Sequence, residues 1–73
     1  MNTFELDLLI DLESNIADEA SAREGYYRLL RDYSSLLSDQ EIDAINEIIA
    51  EELKHTEILR KMIYLRNYIK PEN

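Results

Sequence analysis

Ser34-Ser35-Leu36-Leu37-Ser38-Asp39-Gln40-Glu41 divides this 73-residue chain into two halves. Ser38 with Glu41 three residues later is a capping box, in which each side chain satisfies the other residue's backbone N–H. Asp39 adds an acid in the first turn, where the helix dipole favours it. A helix therefore begins at Asp39, and no Gly or Pro interrupts the sequence until Pro71, so it is predicted to run to about residue 69. On the other side, from Phe4 to about Ser35, only Gly25 disfavours a helix, at a cost of about 1 kcal/mol relative to alanine. Thr3 is the predicted N-cap, followed by Glu5 and Asp7 near the positive end of the dipole. The short connection at about residues 36–38 makes the two helices antiparallel neighbours. The expected architecture is all-α: one domain, residues 1–73, forming an antiparallel two-helix hairpin with helices at about 4–35 and 39–69.

Composition narrows the class. The chain has no cysteine, which removes disulfide frameworks and thiolate metal sites. One glycine and one proline argue against a turn-rich β fold. With 45% apolar residues the chain is too hydrophobic to read as disordered. Its apolar runs fall short of the ~18–20 residues of a membrane span, and its acidic N-terminus does not read as a secretory signal. The expected setting is cytoplasmic, or inside a protein compartment. A net charge of −8 argues against nucleic acid as a partner and suits a protein that binds cations. Glu5, Asp7, Asp11, Glu13, Asp18 and Glu19 precede the first base, whereas Arg60, Lys61, Arg66 and Lys70 crowd the C-terminal turns. An antiparallel hairpin places these two regions side by side.

Each helix carries one seam. In the first, Leu9, Leu12, Ile16, Glu19, Arg23, Tyr26, Leu30 and Tyr33 recur at steps of three and four. In the second, the seam is Ile45, Ile49, Glu52, Thr56, Leu59 and Ile63, with His55 beside it. Glu52 and His55 are three apart and so share a face. A Glu-x-x-His pair aimed into a bundle is the ligand spacing of dinuclear carboxylate metal centres. Glu19 is the carboxylate out of place on the first seam. In a hairpin, residues equidistant from the turn lie at one height. Glu19 and Glu52 are centred between residues 35 and 36, and Glu19 and His55 on residue 37. The turn inferred from the serines and the capping box is centred near residue 36, so the carboxylate should face the Glu-x-x-His.

A hairpin this small cannot cover both sides of its apolar stripe, and chains below ~80 residues without disulfides usually need a partner. Two copies related by a two-fold axis would make a four-helix bundle. They would bring together four carboxylates and two imidazoles, the full ligand set of a dinuclear site. The expected partners are therefore a second copy, or a higher even number of copies, and metal ions.

Two stretches also resemble a known family. Asp18-Glu-Ala-Ser-Ala-Arg-Glu-Gly-Tyr26 resembles the first metal-ligand helix of rubrerythrins, in which a glutamate is followed seven residues later by a tyrosine. Ile49-Ala-Glu-Glu-Leu-Lys-His-Thr-Glu-Ile-Leu59 resembles the second. The matches span about residues 16–33 and 45–60. A whole rubrerythrin has four helices in one chain and often a cysteine-bearing module, both lacking here. In size the chain is closer to the two-helix, encapsulated-ferritin-like members of the ferritin-like superfamily, which complete their site between subunits. The resemblance implies Glu19 as a terminal ligand, Glu52 as the bridging carboxylate, His55 as the nitrogen ligand and Tyr26 as a tyrosine near the site. It implies a dinuclear iron centre, with manganese as the alternative metal. The expected reaction is Fe(II) oxidation or peroxide reduction with dioxygen or peroxide, in which Glu52 and Tyr26 are the catalytic candidates. Carboxylates and imidazole suit Fe(II) and Mn(II) on their own chemistry.

Blander readings stand beside these. His55 can be a surface or packing histidine, Glu52 a solvated acid, Tyr26 a core residue, and Glu19 a buried acid paired with Arg23 one turn away. Glu24, Glu51 and Glu57 read as solvated. Whether the protein is an enzyme is left open. The rival class is a self-associating structural or adaptor hairpin, of a kind also found in phage genomes, with a vestigial metal site. A haem bundle is weakened by the single histidine per chain.

Overall fold

A computed structural model describes the backbone of residues 2–68 and the side chains of residues 2–66. It has two helices, α1 (Thr3–Tyr33) and α2 (Asp39–Tyr68), which pack along their length as a hairpin. No strand occurs among the described residues. The expected ends at Ile69, Lys70 and Pro71 lie outside them. No helix among the described residues is long and apolar enough to cross a membrane.

The capping box at the turn forms in full. The Ser38 N–H donates to Glu41 Oε1 at 2.9 Å, and the Glu41 N–H donates to Ser38 Oγ at 3.1 Å. The Ser38 backbone N–H first, and the Ser38 side chain second, hold the Glu41 carboxyl below its ordinary pKa. At the far end the cap differs from expectation by one residue. Asn2 has the extended backbone of an N-cap, and its Oδ1 accepts from the Glu5 N–H at 2.8 Å. Asn caps at least as well as Thr, so Thr3 becomes the first helical residue instead. α1 ends at Tyr33, earlier than expected, because the Leu36 and Leu37 N–H groups both turn back onto the Tyr33 carbonyl.

The seams fall where their period puts them. Leu12, Ile49 and Thr56 are buried, and Leu9, Ile16, Glu19, Arg23, Tyr26, Leu30, Ile45, Glu52, Leu59 and Ile63 are half-buried. Tyr33 departs from its seam and is exposed, because the chain leaves the helix there. One α1 acid does meet an α2 nitrogen, Glu19 with His55, whereas Arg31 pairs with its own neighbour Asp32 at 2.9 Å.

One layer of two helices measures 58 × 18 × 12 Å. Its thinnest dimension is the diameter of a single helix. The radius of gyration is 16.8 Å, against about 11 Å for a compact domain of this length. The accessible surface is 5886 Å², whereas a compact monomer of this mass exposes about 4,700 Å². Phe4, Leu6, Ile10, Ile58 and Tyr64 are among the apolar side chains more than half exposed.

Candidate metal centre

Glu19, Glu52 and His55 each offer one ligand atom, and the three atoms lie within 4.8 Å of one another. Glu19 comes from α1 and the other two from successive turns of α2. The Glu19 Oε1 lies 3.5 Å from His55 Nδ1, too long for a strong hydrogen bond. Oε2 of the same carboxylate is buried and has no hydrogen-bond partner. A buried acceptor without a partner is costly, and a cation held between these groups would satisfy it. Two carboxylates and one imidazole are hard and borderline donors suited to Fe(II) or Mn(II).

The cluster is graded in exposure. The Glu19 side chain is 23% exposed and that of His55 50%. The site is thus floored by the seam and open along one side of the hairpin. It also sits centrally. The midpoint of Thr3–Tyr33 is residue 18, and that of Asp39–Tyr68 lies between residues 53 and 54. Glu19 adjoins the first midpoint, and Glu52 and His55 flank the second.

Arg23 does not neutralise Glu19. Its Nη1 donates to Thr56 Oγ1 at 2.8 Å and to the Glu52 carbonyl oxygen at 3.4 Å, both across the helix interface. The Thr56 hydroxyl in turn donates to the same Glu52 carbonyl at 3.1 Å. This bond turns the hydroxyl's lone pairs toward Arg23. The network ties α1 to the turn of α2 that carries Glu52 and His55. The sequence placed Arg23 and Thr56 on their seams; nothing in it showed that they would bond each other.

Tyr26 is half-buried on the Glu19 face of α1. Seven residues place its backbone about 10 Å further along the helix, and no hydrogen bond joins it to the cluster among the described residues. Glu24, Glu51 and Glu57 are exposed. A groove of about 410 Å³ lies beside the seam, toward the open end of the hairpin, lined by Glu13, Ile16, Ala17, Ala20, Arg60 and Ile63. It shares no residue with the cluster. Comparison of the chain with family models, with curated proteins and with solved structures finds no match.

Proposed function

We propose that this chain is a ferritin-like metal-binding protein whose hairpins pair to build a dinuclear iron or manganese centre. The observation that carries the reading is the convergence of Glu19, Glu52 and His55, with one Glu19 oxygen buried and unpartnered. Support for a second copy comes from shape. The surface exceeds that of a compact monomer by about 1,200 Å², more than one partner's ~800 Å² share of a standard interface. The central position of the cluster also matters. A two-fold axis crossing the hairpin at its centre overlays two copies end to end and brings their clusters together.

Within such a pair Glu19 and His55 would serve as terminal ligands, and Glu52, the less exposed of the two α2 groups, would be the candidate bridging residue. Two ions held by these residues would supply redox chemistry suited to Fe(II) oxidation by dioxygen or to reduction of peroxide. The protein's own groups hold the ligands in place: Arg23 and Thr56 fix the α2 turn, and the buried Leu12 and Ile49 keep the seam closed on either side of the cluster. Tyr26 is the nearest seam tyrosine along α1 to accompany that chemistry.

The test is anaerobic Fe(II) titration of chelator-stripped protein, with metal counted by mass spectrometry, followed by addition of dioxygen or peroxide. The reading expects about two Fe(II) per dimer, in line with the dinuclear ligand set, and ferric absorption in the near ultraviolet. Protein that assembles but binds neither metal supports the second reading, a self-associating structural hairpin. The exposed apolar surface favours that reading independently of any metal.

A further inference from the structure

Arg23 stands four residues after Glu19, the helix spacing and order at which a glutamate and a cation attract each other best. Yet the guanidinium is turned across the interface to Thr56 and the Glu52 carbonyl. Glu19 Oε2 is left buried with no partner. Thr56 is what the guanidinium goes to: its Oγ1 is the shorter of the two contacts, and the hydroxyl's own proton is committed to the Glu52 carbonyl. Thr56 is itself buried, so this acceptor is shielded from competing water.

We propose that Thr56 is a positioning residue that keeps the site open: by holding Arg23 it prevents an Arg23–Glu19 ion pair that would occupy the carboxylate a divalent cation needs. The inference rests on the metal-binding reading above and deepens it. An arginine deprived of its acceptor still carries five N–H donors. The nearest strong acceptor on its own helix is then the Glu19 carboxylate, one turn back. Charge-assisted pairing there is stronger than a neutral hydrogen bond. The site would close itself with a residue it already contains.

Thr56→Val keeps the shape and removes the acceptor, whereas Thr56→Ser keeps the acceptor. Mn(II) affinity, measured by competition with a chromophoric chelator, should be the same in the wild type and Thr56→Ser. It should fall by on the order of tenfold in Thr56→Val, the scale of one charge-assisted hydrogen bond. In an Arg23→Leu background the Thr56→Val change should have no effect on affinity, because the competitor is gone. Helicity by circular dichroism and sedimentation of each variant exclude simple misfolding.

A second, metal-free measurement reads the pairing itself. With chelator present, Glu19→Gln and Arg23→Leu should affect melting additively in the wild type and non-additively in Thr56→Val. Non-additivity already present in the wild type, or an equal Thr56→Val loss with and without Arg23, overturns the role. Normal wild-type Mn(II) binding with an undiminished Thr56→Val variant overturns it too. A wild type that binds no Mn(II) sinks the metal reading and this role together.

Discussion

Oε1 of Glu19 and Nδ1 of His55 approach to 3.5 Å across the helix interface without forming a strong hydrogen bond. Two polar groups from different helices are thus held near each other by the backbones that carry them, not by mutual attraction. In the proposed metal centre these groups would be organised before any ion arrives, which predicts how the protein should respond to metal.

Fe(II) or Mn(II) at a hundredfold excess over its dissociation constant should stabilise the fold by about 2.7 kcal/mol. For a domain of this size that raises the melting temperature by roughly 10 °C or more. Glu52→Ala should abolish the rise and leave the apo protein as stable or more so, since it removes a half-buried acid. A melting temperature indifferent to both metals would show that the cluster binds neither.

His55→Ala and Glu52→Ala should each remove the fast phase of Fe(II) oxidation, and Glu19→Ala should weaken metal binding. Glu57→Ala changes an exposed acid and should leave the rate within about twofold, as surface substitutions are usually nearly neutral. Stopped-flow absorbance after oxygen addition distinguishes them. An equal loss from Glu57→Ala would rule out the assignment of the ligand face.

The excess surface of a single hairpin leads us to expect a dimer or a higher even oligomer at micromolar concentration. Ile48→Glu would place an acid on the side of α2 from which His55 also projects, since the two are seven residues apart. It should shift sedimentation toward monomer and lower helicity together. A folded wild-type monomer at that concentration removes the inter-subunit site.

Ser38→Ala should cost about 1 kcal/mol by removing the cap of α2. Its partner makes the effect depend on pH. The Glu41 carboxyl is held below its ordinary value of 4.5 in the fold, so the folded state binds its proton less readily than the unfolded one. The contribution is complete well above pH 4.5 and is lost as pH falls through the lower folded value. Glu41→Gln should flatten that part of the acid-melting profile, measured by circular dichroism.

A Cβ at Gly25 would meet nothing within 4 Å, and the backbone there needs no left-handed conformation. Gly25→Ala should stabilise α1 by about 0.5–1 kcal/mol. Chemical denaturation would show it as a higher midpoint at unchanged slope.

Local signals and helical period account for what was legible in the sequence. The capping box fixed the start of α2, and equal spacing from that turn brought Glu19 opposite Glu52 and His55. The burial of Leu12, Ile49 and Thr56 followed from the steps of three and four. The rest depends on choices among near-equal partners. Asn2 competes with Thr3 as a cap, and only backbone geometry decides. Arg23 could satisfy itself on Glu19, four residues back, or across the interface on Thr56, which the sequence places only on the facing seam. The identity and charge of these residues are readable; the rotamer that selects one acceptor is set by packing across the interface.

Glu52 lies 13 residues from Asp39, and His55 lies 13 residues from Tyr68. Helix ends open first and most often, while interior backbone hydrogen bonds break only in larger fluctuations. Unwinding from either end of α2 must therefore consume more than three turns before it disturbs a ligand. Amide hydrogens near the cluster should exchange last, and fraying should leave a bound ion undisturbed. In the proposed centre an ion would leave by the open side of the hairpin while the helices stay wound, so its lifetime would be independent of the flicker of their ends.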